Sequence, residues 1–195
     1  HHGVFDISFM RQIPNVVVTS PKDGYELHDL LYTSFKSDKI FSIRYGKFST
    51  EYSDNYKPKL LEIGTWVNEL EGQDIAILAV GNMVNTALNV ASSVKTKYNK
   101  KITVINCRFI KPLDAELLID LCKNHSHLIT MEEGIKIGGF GSAVMEFLND
   151  EDININLKIL AIPDSFVDHG ARNKLLSDLK LDEVGLLEQI ENIIK

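Results

Sequence analysis

The stretch LITMEEGIKIGGFGSAV, residues 128–144, decides how this chain is read. Leu128, Ile129 and Met131 read as a buried strand, Glu132 and Glu133 end it, and Gly138, Gly139 and Gly141 let the backbone turn tightly into a helix opened by Ser142. Strand, glycine turn and helix N-terminus in that order form half of an α/β unit. Free N–H groups and the positive end of a helix dipole favour an anion in such a turn. GGFG, however, lacks the Lys-Ser/Thr ending of a P-loop and does not meet GxGxxG, so chain reversal is favoured over a phosphate cradle.

Working outward, the same alternation recurs. Residues 74–80 read as a buried strand, and residues 82–98 as a helix with Val84, Leu88, Ala91 and Val94 on one face. A strand over 102–107 follows, then a helix capped by Asp114 and running through Lys123. Beyond the glycine turn come a helix over 142–148, a strand over 157–162, and two helices starting near 171 and 182. The pattern predicts an α/β fold of three layers, a mostly parallel sheet with helices on both faces.

The first part of the chain carries a second such unit. NVVVTS, residues 15–20, reads as a buried strand, and Ser20, Pro21 and Asp23 supply helix-start signals for an apolar face of Leu27, Leu30, Leu31 and Phe35. With a strand over 40–45 this implies a right-handed parallel crossover. Residues 46–58 turn polar and aromatic without a period and read as a loop and domain boundary, dividing 1–58 from 59–195. Residues 60–66 and 67–70 are expected to pair as antiparallel strands leading into Asp74.

The 195 residues suit one large domain or two small ones, and the net charge of −6 with scattered lysines argues against nucleic acid as a partner. Apolar runs such as IAILAV after Asp74 are far short of the roughly 20 residues of a membrane span. Cys107 and Cys122 are too few for a disulfide framework or zinc site, so a cytoplasmic location is expected. His125 and His127 lack the neighbouring Cys or carboxylates of a metal site. With no initiating Met and no signal peptide, the chain reads as a piece of something longer.

Four stretches together carry a resemblance: HHGVFDISFMRQIPN at residues 1–15, RFIKPLD at 108–114, EEGIKIGGFGSAV at 132–144 and IPDSFVDHG at 162–170. In order and spacing they resemble the C-terminal portion of the 1-deoxy-D-xylulose-5-phosphate synthase family, thiamine-diphosphate enzymes of the transketolase-like superfamily. The resemblance implies that residues 1–58 end a pyrimidine-binding domain and that 59–195 form a transketolase-like C-terminal domain. Thiamine diphosphate and Mg2+ would be held mainly by domains upstream, with no cofactor ligand in this chain. The implied reaction joins pyruvate to D-glyceraldehyde 3-phosphate with loss of carbon dioxide, for isoprenoid precursor, thiamine and pyridoxal biosynthesis. A homodimer is implied for the intact enzyme, and the fragment alone should be inactive.

The resemblance also places candidate residues. His1 stands where the family has a histidine beside the cofactor's reactive carbon, and an imidazole with an ordinary pKa near about 6.5 suits proton exchange there. Two histidines at a chain start also read as a tag remnant, but GVFDISF continues the family pattern directly. Arg44 and Lys47 in IRYGKFS align with the family's RYPRG, which makes both candidates for the acceptor phosphate, while Lys47 also reads as an exposed loop lysine and Arg44, at a strand end, as structural. Lys47 replaces the phosphate-holding arginine and loses its bidentate fork, and Gly46 replaces a stiff proline. Asp164, Asp168 and His169 read as a turn, and Glu132 with Glu133 as structural or interface acids ahead of an acid/base pair. Two other readings stand: a β-type subunit of a split transketolase or 2-oxoacid dehydrogenase, and a non-catalytic anion-binding or interaction module using the GGFG turn.

Overall fold

A computed structural model describes residues 3–47, 50 and 52–194. The chain opens with a short helix, α1 (Asp6–Gln12), followed by β1 (Val16–Thr19), α2 (Gly24–Lys36) and β2 (Ile40–Ile43). Next come β3 (Val67–Leu70), β4 (Asp74–Ala79), α3 (Met83–Tyr98), β5 (Thr103–Asn106), β6 (Phe109–Lys111) and α4 (Ala115–Asn124). The chain continues through β7 (His125–Ile135), α5 (Phe140–Asp150), β8 (Asn156–Ile162), α6 (Arg172–Asp178) and α7 (Glu183–Ile194).

Local chemistry accounts for most boundaries. The β-branched run of β1 is buried along its length. Asp23 caps α2 by accepting from Glu26 N, and Asp114 caps α4 by accepting from Leu117 N. Asn99, in the left-handed region at φ 52°, ends α3.

Two sheets result, ordered β2-β1-β6 and β3-β5-β4-β7-β8. In the larger, β4 pairs in parallel with β5 and β7, and β7 with β8, while β3 lies antiparallel on β5. Because side chains alternate along a strand, Ala76 and Leu78 face one core with Leu128, Phe140 and Val144. Ile75 and Ile77 face another with Ile129, Met131 and the inner faces of α3 and α7. The first core also takes in Val16, Val17 and Val18 of β1, so the smaller sheet packs onto the larger. A buried polar junction reinforces it: Glu26 of α2 accepts from Asn106 Nδ2 at the end of β5 (2.8 Å) and from Lys22 N (2.8 Å).

The expected α/β architecture with its mostly parallel sheet is present. Residues 60–66, however, form no strand, and β3 pairs with β5 instead of making a hairpin. Two backbone donors of that segment go to side chains, Leu61 N to Thr33 Oγ1 (2.9 Å) and Trp66 N to Asp114 (2.8 Å), while the Trp66 indole donates to Phe109 O (2.7 Å). A strand also does not end at Glu132 and Glu133, since β7 runs on to Ile135. From β4 the order runs to β5 on one side and returns to β7 on the other. The C-terminal ends of β4 and β7 therefore flank a switch point, where α/β sheets open a crevice.

Candidate functional site

At this end of the sheet four stretches meet: residues 3–6, the end of β2, the end of β7 with the glycine turn, and the segment after β8. The two adjacent acids of β7 point to opposite faces. Glu132 is fully buried and accepts from Phe140 N (2.9 Å) and Gly141 N (2.8 Å), so the group that answers the N–H donors at the start of α5 is the protein's own carboxyl. Burial pushes this carboxyl up to about 7, although the two N–H donors and the charges of Arg44 and Arg11 pull it down.

The glycines fit around that carboxylate. Gly138 sits at φ +70°, where a Cβ would meet Ser8 Oγ at 2.6 Å, and a Cβ at Gly139 would run into Ile135 O and the Glu132 carboxylate. From α1, Arg11 Nη1 donates to Gly138 O (2.6 Å) and Gly139 O (2.9 Å), and Nη2 reaches Glu146 (2.6 Å). The turn is thus closed by its own strand, helix and neighbour.

Glu133 faces the crevice. Its carboxylate takes Arg172 Nε (2.8 and 3.2 Å) and Nη2 (2.6 Å), with Asn82 Nδ2 at 3.4 Å. A cavity of about 390 Å³ opens beside this pair, walled by Val4, Ile162, Asp168, His169 and Leu175. The IPDSFVDHG stretch therefore lies against the start of the described chain, where Phe5 also makes an edge contact with Phe166 (6.5 Å between centroids).

The predicted site residues fall in different places. His1 lies outside the described residues. Arg44, at the end of β2, directs Nε to both Asp6 oxygens (3.0 and 2.8 Å) and Nη2 to Gly3 O (3.0 Å) and Glu133 O (2.7 Å). Lys47 is exposed and lines a separate groove of about 540 Å³ with Pro21, Asp23, Gly24, Leu27 and Tyr45. The groove wall at Lys47 does not include Arg44.

Sequence reading missed Asp6 and Arg172. An acid just after Phe5 is a first-turn signal, a weak one in a seven-residue helix without a side-chain cap. Nothing local marks Arg172, whose partner is 39 positions away. Among the described residues no group of three or more His, Cys, Asp or Glu is arranged to hold a metal, and His125 is engaged by Thr103 Oγ1 (2.7 Å) and Leu121 O (2.9 Å). With Phe140 N and Gly141 N taken by Glu132, the glycine turn does not offer these donors to a cofactor diphosphate. No described helix is long and apolar enough to cross a membrane.

A five-stranded, mostly parallel sheet with a closed glycine turn at its C-terminal edge defines the class. The chain belongs to the family described as the transketolase C-terminal domain, whose model matches residues 64–186. It is similar over its whole length to 1-deoxy-D-xylulose-5-phosphate synthase, being 41% identical over 195 residues to the enzyme of Aquifex aeolicus and 38% to that of Mannheimia succiniciproducens. All of this chain is covered in both cases, against 31% of each relative, so the chain spans about a third of their length. Among solved structures, one titled "Split gene transketolase, inactive beta4 tetramer" superposes with a TM-score of 0.85 at 26% identity, covering 98% of this chain and 61% of that one. The transketolase of Campylobacter jejuni, at 15% identity and a TM-score of 0.71, covers 97% of this chain and 28% of its own and shares the fold.

Proposed function

We propose that this chain is the C-terminal portion of a 1-deoxy-D-xylulose-5-phosphate synthase, which condenses pyruvate with D-glyceraldehyde 3-phosphate and releases carbon dioxide. The observation that carries this reading is the 41% identity running over all 195 residues, including the segment before the transketolase C-terminal match. On this reading residues 1–58 end the pyrimidine-binding domain and 59–195 form the C-terminal domain. Thiamine diphosphate, which supplies the carbanion chemistry, and Mg2+ bind mainly to upstream domains, and the intact enzyme is a cytoplasmic homodimer.

Two demands of the reaction fall on side chains of this chain. A proton must be exchanged with the developing alkoxide, and His1 supplies an imidazole for it. The acceptor phosphate needs a cation, and Lys47 supplies one at an exposed groove, as a point charge without arginine's fork. Arg44, the other cation placed at the phosphate by the family alignment, is engaged by Asp6, Gly3 and Glu133.

The full-length protein should form product from pyruvate and the aldehyde phosphate when supplied with thiamine diphosphate and magnesium. The fragment of 195 residues under the same conditions should form none, and turnover by the fragment would overturn the division of labour. His1→Ala in the full-length protein should cripple turnover and leave cofactor affinity in place; an unchanged rate would remove His1 from the reaction. A second reading, a β-type subunit of a split transketolase, is favoured by the 0.85 TM-score to the split-gene structure. A start codon close upstream of His1 would support it, whereas a long coding continuation carrying a diphosphate-binding domain would support the single-chain synthase.

A further inference from the structure

We propose that Arg44 is a positioning residue: it fixes the segment that follows His1 against the end of β7, and it does not grip the acceptor phosphate. The inference rests on the reading of the preceding subsection and assigns a different task to one of its residues.

The geometry is that of a clasp. Arg44 is anchored by its own backbone, whose N–H donates to Thr19 O (2.9 Å) where β1 and β2 end. From there Nε engages both oxygens of Asp6, in the first turn of α1, while Nη2 joins Gly3 O to Glu133 O. Independently, Ile135 N donates to Val4 O (2.8 Å). Residues 3, 4 and 6 are thereby tied to two strands from different sheets. The Arg44 side chain is 16% exposed and that of Asp6 is 30% exposed.

Such a task needs a guanidinium. Its planar fork directs donors along fixed lines to a carboxylate and to two carbonyls, which a single ammonium on a flexible stem does not reproduce. A phosphate seeking the same edge would have to displace the Asp6 carboxylate and leave it facing a second anion. Position 1 is two residues from Gly3, at most about 7 Å of chain, so a shift at Gly3 is passed on to the group at position 1. Lys47 sits in another groove and is left as the phosphate cation.

The test uses the full-length protein with two acceptors, D-glyceraldehyde 3-phosphate and unphosphorylated D-glyceraldehyde. Arg44→Lys should lower kcat by about 10- to 100-fold with both acceptors, the penalty of a misplaced reacting group. The ratio of kcat/KM for the two acceptors should stay within about threefold of wild type, since the phosphate itself is not released. On a His1→Ala background the further loss should be less than about threefold, because residues acting through one another are not additive. Asp6→Asn, which keeps the shape and removes the charge, should repeat the pattern in milder form and serves if Arg44→Lys fails to fold.

A loss confined to the phosphorylated acceptor and expressed in KM would make Arg44 a phosphate ligand and overturn the proposal. A full multiplicative loss on the His1→Ala background, or an unchanged kcat, would overturn it as well. These outcomes are separate from failure of the functional reading, which would show as wild-type protein inert toward pyruvate with either acceptor.

Discussion

Glu132 and Glu133 are neighbours in sequence and strangers in environment. The first closes a turn against α5, out of solvent and answered by backbone N–H groups; the second stands at a crevice with an arginine 39 positions away as its counter-ion. A carboxylate that satisfies backbone donors holds a fold together, whereas one that meets a side chain at a cavity leaves room for rearrangement. The difference teaches that the glycine turn is a finished structural unit. The opening beside it, lined by Val4, His169 and Arg172, is the unfilled space at this end of the sheet.

The sharpest way to break the comparison is Glu132→Ala. It leaves two buried N–H groups unanswered and should destabilise the protein by about 3 kcal/mol in urea unfolding, the usual cost of orphaning buried polar partners. A loss below about 1 kcal/mol would mean that the turn holds without its acid.

The next effect is on pH. In the folded protein the Glu132 carboxyl is raised to about 7 from an ordinary 4.5, so the folded state keeps a proton that the unfolded chain has released. Stability from this group is therefore complete below about 4.5, falls as pH rises to about 7, and is flat above, a change of up to about 3 kcal/mol. Glu132→Gln should flatten that limb relative to wild type in melts between pH 4.5 and 7; an identical slope would show that Glu132 does not titrate there.

A smaller loss is expected from Gly138→Ala, about 1 to 2 kcal/mol, because the left-handed backbone and the Ser8 hydroxyl both oppose a Cβ. Smallest is Glu133→Gln. Its partner Arg172 is 37% exposed, so solvent screening limits the loss to about 1 kcal/mol or less. Should Glu133→Gln cost as much as Glu132→Ala, the contrast between a structural and a crevice-facing acid collapses.

How much of this was legible in the sequence depends on how local each cause is. The strand and helix alternation from Asp74 onward follows from side-chain period and caps such as Asp114, which act within a few residues. β6 was missed because its three residues pair with β1 from a distance, and α1 because seven residues without a side-chain cap carry little signal. The antiparallel pairing expected of 60–66 failed because that backbone is satisfied by Thr33 and Asp114, partners no window contains. The site shows the same limit. His1 and Lys47 came only from resemblance, and the partners of Arg44, 38 and 89 positions away, are visible only in the fold.

One consequence of β7 concerns counting. Leu128, Thr130 and Glu132 share the face toward α5, and Ile129, Met131 and Glu133 share the other, so the strand assigns duties by odd and even position. Inserting one residue after Ile129 would exchange the faces of the two acids, turning Glu132 away from the start of α5 and Glu133 toward it, without altering either side chain. For this pair of glutamates, parity along a strand is what separates architecture from access.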